Sequence, residues 1–453
     1  MHALLKSSNE MPITIERQLK FVEQVNPVLS HECRRRLRYM HMRSFDWEQG
    51  GLLSTVKFVD RDSVEYSLVI ASDHEMSEAR MARLTLDKAM SLVDPVWGGV
   101  YQYSTQGKWD MPHYRKTIAA QAGHLRLYSL AYAQLKFTKY LDVTNAIVNY
   151  IQKFMLSDVD AFYAGQADNV NNIKADEYFS LDESNRLLHG IPCIDKRLLS
   201  RENGWMIEAL ATHYEYCGSQ QSLDIAIKAA DWVNQHCRTC HGAYLSNIMT
   251  NKPANLADTL AMARAMLQLY RATLNEHYLN YACDSALFIH KNFKNSLCGY
   301  NTSINSNTKN ASSRKFVRKP SSQSVRQIDE NISFTRFINL LSHYSDKAIF
   351  KKIINHGLRY LYIPEVATSR MEEAGILLLD RETLTSPLTI NITGEKNNPT
   401  VKEYINIAHR YPGWYKLLRF SESETNSVSI EIDGYKSKQI TSTEKLKQLL
   451  KFH

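Results

Sequence analysis

The stretch Asp94–Leu125, DPVWGGVYQYSTQGKWDMPHYRKTIAAQAGHL, gathers Trp97, Tyr101, Tyr103 and Trp109 ahead of His113, with a second histidine at His124. An imidazole is the side chain best suited to take and return a proton near neutral pH. Aromatic planes beside polar groups suit a sugar: the rings stack on its C–H faces while His, Asp or Asn hold the hydroxyls. On a helix, eleven residues are almost three turns. His113, Thr117, Ala120 and His124 then share a face, and the two imidazoles lie about 16 Å apart. They cannot bind one metal together. Either His113 faces a ligand in a shared cavity, or both histidines are buried and hydrogen-bonded.

The elements that would position these groups follow from the same stretch. Gly98 and Gly99 allow a tight turn. Asp110 is an expected N-cap, and Pro112 fits a first helical turn, where its missing N–H is not needed. His113 would then face inward from that turn and Arg115 away from it. Elsewhere the chain reads as helix after helix, with apolar residues three and four apart, including CRRRLRYMHMRSF, FDWEQGGLLSTVKF, SLDIAIKAADWVNQH and KAIFKKIINHGLRYLY. Strand-like runs are nearly absent before Pro387. Glycine beside an aromatic recurs between helix pairs: GGLL at Gly50, GGVYQY at Gly98, FYAG at Phe162, HGAYL at His241 and CGYNT at Cys298. Such self-similarity marks stacked hairpins. The expected fold is all-α, an (α/α)6 toroid with these connectors at one mouth, rather than an open solenoid. Residues 1–380 would form the toroid, with a long mobile loop at 301–324. Residues 381–453 would form a small α/β appendage, with PLTINITG, WYKLLRF and SVSIEIDG as strands and PTVKEYINIAHRY as a helix.

The 453 residues are 44% hydrophobic and 23% charged, an ordinary globular composition, with a formal net charge of +8. The basic runs CRRRLR and SSRKFVRKP lack interleaved stacking aromatics and read as solvated charge, so no nucleic-acid partner is expected. No segment approaches the roughly 20 apolar residues of a membrane span. No secretory signal is visible, and the seven scattered cysteines suit reduced thiols, so a cytoplasmic protein is expected. CRTCH at Cys237–His241 matches the haem-attachment spacing, but a chain without an export signal is not expected to carry haem. No second Cys pair completes a zinc site. The expectation is no cofactor and no metal.

The segment from Gly98 to Ala120 resembles the signature GGG-x-x-RYSTD-x-x-W-x-VPHFEKMLYD of the thioredoxin-domain proteins related to spermatogenesis-associated protein 20. FDWEQGGLLSTVKF, FYAGQADNV, RENGWMIEALA, NLADTLAMARAMLQLY and RKPSSQSVRQIDENIS resemble further motifs of that family in the same order. The resemblance implies a six-hairpin, glycosidase-like toroid akin to N-acylglucosamine 2-epimerase. The thioredoxin-like domain has no counterpart here. The resemblance carries over Tyr103, Trp109, His113, Asp168, Asn203, Asp258, Asp329 and Asn331. It departs at Arg115, Ala119, Ala120, Glu202 and Thr259, where the family has other residues. It implies a sugar-like ligand and a 2-epimerase-type isomerisation. His113 would be acid or base and Asp258 its partner or the second group. Tyr103 and Trp109 would be the platform, and the remaining four would bind substrate. The other expectation is a binding or interaction module that no longer catalyses.

Overall fold

The computed structural model describes residues 26–304 and 325–451, apart from His74, Asn171, Asn172, Thr250, Asn251, Lys252, Met371, Glu372, Asp433 and Lys438. Most of the expected loop 301–324 therefore lies outside the described residues.

Twelve helices build the body. They are α1 (His31–Arg43), α2 (Arg61–Ala71), α3 (Met76–Ala89), α4 (Ile118–Leu135), α5 (Thr138–Tyr150), α6 (Ser200–Cys217), α7 (Gln220–His236), α8 (Leu256–Thr273), α9 (Glu276–Phe293), α10 (Ile328–Ser342), α11 (Ile349–Leu361) and α12 (Ala374–Leu384). The even-numbered helices pack in the cyclic order α2, α4, α6, α8, α10, α12 and back to α2, so the ring is closed. The odd-numbered helices lie outside them. This is the expected (α/α)6 toroid. Inner helices are apolar on most of their surface, because each faces two inner neighbours and an outer helix. In α8 the residues from Leu256 to Leu269 are buried almost without exception.

The connectors repeat in detail. After α1, α3, α5, α7 and α9 the chain makes the same single bridge: Phe45 with Leu52, Val93 with Val100, Leu156 with Phe162, Arg238 with Tyr244, and Lys294 with Tyr300. In four of them the fourth residue of the next inner helix clamps the connector. Gln121 accepts from the Val100 N–H at 2.7 Å, Asn203 from Phe162 at 2.8 Å, Thr259 from Tyr244 at 3.2 Å, and Asn331 from Tyr300 at 2.7 Å. The amides of Gln121, Asn203 and Asn331 also donate to the same residue's carbonyl. Each clamp satisfies backbone groups that burial would otherwise leave unpaired. Because the connectors precede the inner helices, they gather at one end of the ring, its mouth.

Four expectations are corrected here. The helix after the second connector begins at Ile118, not Pro112. Pro112–His113 is strand β2, paired with β1 (Tyr103–Ser104), and β3 (Lys116–Thr117) pairs with β4 (Tyr163–Gln166), which pairs with β5 (Ile194–Leu198). These ladders hold the backbone extended until Thr117, whose hydroxyl accepts from the Ala120 N–H as the true N-cap. Short strands therefore do occur before Pro387. FDWEQGGLLSTVKF is connector rather than helix, and the inner helix is the following RDSVEYSLVIA, capped by Asp60. Finally, α12 runs to Leu384, past the expected boundary at 380.

Beyond α12, β6 (Leu388–Thr393) pairs in parallel with β7 (Lys416–Ser421) across helix α13 (Pro399–Arg410). It pairs antiparallel with β8 (Ser427–Ile432), which carries β9 (Tyr435–Lys436), and α14 (Thr443–Lys451) packs on α13. Arg410 donates to the carbonyls of Tyr214 and Glu215 near the C-terminal end of α6.

Candidate active site

Each inner helix sends one charged side chain across the lumen: Glu65, Arg126, Glu208, Arg264, Arg336 and Glu382. Arg126 holds Glu65 in a bidentate pair at 2.5 and 2.9 Å and lies 3.8 Å from Glu208. Arg264 holds Glu208 at 2.7 and 3.1 Å and donates to Ser333 at 2.6 Å. Arg336 closes the circle, 2.9 Å from Glu65 and 2.7 Å from Glu382. Burial pushes the Glu65 carboxyl up, but Arg126 and Arg336 overcome it and hold it well below the usual range. Arg264 and Arg126 lower Glu208 against the same penalty.

This girdle divides the lumen. Below it a chamber of about 120 Å³ is closed by Trp414, Tyr415 and Lys416 of the C-terminal segment. Lys416 is buried; burial pushes its pKa down to about 7, while Glu215 pulls it up. Its ammonium donates to the carbonyls of Ala408, His409 and Tyr411, which end α13. Above the girdle, toward the connectors, is a cup of about 320 Å³. Its wall carries Asp62, Trp205, Asp329, Arg370 and Glu373, with Phe58 exposed at its edge.

Glu373 sits at the N-cap position of α12 and is 5% exposed. Burial pushes its pKa up to about 8. Arg370 pulls it down, and the negative charges of Asp329, Asp62 and Asp60 add to the rise. Its Oε1 lies 3.4 Å from Arg370 Nε without making a hydrogen bond. Arg370 is bound instead to Asp329 at 2.6 Å. Glu373 is thus a carboxylic acid that keeps its proton near neutral pH. Asp62 is raised chiefly by burial and lowered by Arg336, whose Nη1 is 3.7 Å away. Gly375 leaves room for it: a Cβ there would lie 2.5 Å from Asp62 Oδ2.

The residues carried over in sequence are dispersed. His113, Tyr103 and Asp168 do come together at the rim. The Tyr103 and His113 rings stack at 4.8 Å, and His113 Nε2 is 3.5 Å from Asp168 Oδ2. His113 Nδ1 is buried without a hydrogen bond. Asp258 lies in the first turn of α8, where Ser246 and Asn255 donate to its carboxylate. Burial raises its pKa. No hydrogen bond or ion pair among the described residues joins it to His113. Trp109 is buried, donates to the Gln49 carbonyl at 2.8 Å and packs on Gly51. Asn203 and Asn331 are connector clamps, and of the eight only Asp329 reaches the cup. His124 is in the core, its pKa pushed down to about 4 by burial. Arg115 is exposed and forms no ion pair among the described residues. The expected paired-histidine face is absent because the helix starts late. Trp97 and Tyr101 are buried in the core packing.

Cys237 is buried at the C-cap of α7 and Cys240 is exposed. Among the described residues, no helix is long and apolar enough to cross a membrane.

Residues 202–351 match the family model described as Beta-L-arabinofuranosidase, GH127 catalytic domain, about a third of the chain. A Caenorhabditis elegans protein named Uncharacterized protein B0495.5 is 27% identical over 144 residues. The match covers 30% of this chain and 20% of that protein, so the chain spans only a fifth of this relative's length. Among solved structures, a sugar epimerase from a ruminal bacterium superposes with TM-score 0.56 at 14% identity, over 78% of this chain and 98% of its own. The cellobiose 2-epimerase of Bacillus thermoamylovorans B4167 gives TM-score 0.53 at 14% identity, over 73% and 86%. What the chain shares with these two structures is the toroidal fold.

Proposed function

We propose that this chain is a carbohydrate-active protein and that the cup above the girdle is its working site. The observation that carries the reading is Glu373, a buried acid that keeps its proton near neutral pH and shares a cup with a second carboxyl, Asp62. Breaking or rearranging a sugar at its anomeric or neighbouring carbon needs one group to give a proton and another to take one. Glu373 is the donor. Asp62, whose carboxyl lines the same cup, is the acceptor, and Trp205 is the stacking platform. The family match over residues 202–351 and the two epimerase folds support a sugar ligand over other small molecules.

A second reading rests on the rim. His113, with a free Nδ1 and Asp168 close to Nε2, would act as acid or base in a 2-epimerase-type isomerisation. Tyr103 would stack on the sugar and Asp258 would be the second group. Trp109, Asn203 and Asn331 would then position the connectors.

The experiment is incubation of the full chain with a panel of mono- and disaccharides in deuterated water, followed by NMR. Isomerisation places deuterium on a ring carbon, and hydrolysis creates a new anomeric signal. Glu373→Gln should abolish whichever is seen, and His113→Ala should leave it. The opposite pattern would move the chemistry to the rim. Sugar binding without turnover would leave a binding module.

A further inference from the structure

The cup holds five arginines, and four are engaged. Arg126, Arg264 and Arg336 belong to the girdle, and Arg370 is bound to Asp329. The fifth, Arg61, opens α2 and is exposed, and it forms no hydrogen bond or ion pair with any described residue. Its guanidinium lies over the Trp205 ring, 5.9 Å from the centroid. Its stem rests on α4 at Gly123, where a Cβ would lie 2.9 Å from Arg61 Cδ. Gly123 is in the second turn of α4 with an ordinary helical backbone, so no turn requires it. A glycine there costs the helix about 1 kcal/mol relative to alanine. What it provides is the space in which Arg61 lies.

From this geometry we infer that Arg61 reads a negatively charged group, so that the cup's ligand is an anionic sugar, either a sugar acid or a sugar phosphate. The inference rests on reading the cup as a sugar site. A guanidinium offers a planar fork of N–H donors that matches a carboxylate or phosphate in a bidentate pair. Trp205 and Arg61 line the same cup, so a sugar held there can bring an anionic substituent to Arg61. The other charges of the cup largely compensate one another. The girdle is neutral, with three arginines and three glutamates; Arg370 offsets Asp329, and the Asp60 carboxylate is turned to the Ser63 N–H as the cap of α2. Asp62 is next to Arg61 in the chain, but its carboxyl occupies the space left by Gly375. The six inner helices also direct their N-terminal, positive ends toward this mouth.

The test is titration calorimetry of the full chain with D-glucuronate, D-glucose 6-phosphate and D-glucose, on the natural protein and on Arg61→Ala. One of the charged sugars should bind at least about tenfold more tightly than glucose, the scale of one charge-assisted pair. Arg61→Ala should erase that preference without weakening glucose, and its melting temperature should be unchanged because Arg61 is exposed. Which charged sugar is preferred distinguishes a carboxylate from a phosphate. Glucose binding as well as both charged sugars would overturn the inference and leave the sugar site standing. A preference that survives Arg61→Ala would do the same. No binding by any of the three would overturn both.

Discussion

Glu373 shows how burial alone can make an acid. Its folded-state pKa of about 8 lies above the ordinary 4.5. Between those values the folded chain keeps a proton that the unfolded chain has released. Stability should therefore fall as pH rises through that window. Denaturant midpoints measured across it should show the decline in the natural protein and its loss in Glu373→Gln. If the chemistry lies in the cup, the same variant should lower turnover by about a hundredfold or more. Asn203→Ala should act on stability instead. It leaves the Phe162 N–H and carbonyl buried and unpaired, at a cost of about 1–3 kcal/mol in chemical unfolding. The sequence pointed to Asn203 and Asn331 through their place in a motif, and the structure gives that place a structural reason. It gave no hint of Glu373, an ordinary residue in RMEEAG whose character comes from what is folded over it.

Among elements, the connectors were the most legible part. Glycine beside an aromatic marks four of the five turns because the backbone at Gly50, Gly98, Gly242 and Gly299 is left-handed and tightly covered; in the third the left-handed residue is Asp160, and Gly165 lies in β4. At Gly98, φ is +71° and a Cβ would lie 2.3 Å from the Ala146 carbonyl oxygen. The start of α4 was misread because a Pro after an Asp is a good helix opening on local grounds. Two strand ladders override it: β1–β2 joins residues 8 to 10 positions apart, and β3–β4 joins residues 48 to 50 positions apart. Two substitutions separate these accounts. Thr117→Ala should cost about 1 kcal/mol in thermal or chemical unfolding, and Asp110→Ala almost nothing. Helix α2 was missed for a different reason. Its inward face carries Asp62 and Glu65 where a core helix would be apolar, so the three-four spacing is broken by the groups that make the site.

At the scale of the whole molecule, the girdle ties all six inner helices together through one residue each. Successive girdle residues are separated by 46 to 82 positions in the chain, so no local pattern announces them. Arg336 bridges Glu65 and Glu382, and removing it leaves two buried carboxylates short of a partner. Arg336→Ala should destabilise the protein by about 3–5 kcal/mol in denaturant unfolding. The arginines hold Glu65 below its ordinary range, so its share of stability is present above pH 4.5 and is lost as pH falls below that. The girdle also gives the toroid a floor, making the cup a dead end. The central claim is that this cup, not the rim, receives the sugar. The most direct measurement is calorimetric binding of the sugar panel to the natural chain and to Trp205→Ala. The account predicts saturable binding that falls at least about tenfold in the variant, since losing a stacking ring removes a principal contact. Sugar binding of equal strength in the two proteins would contradict it.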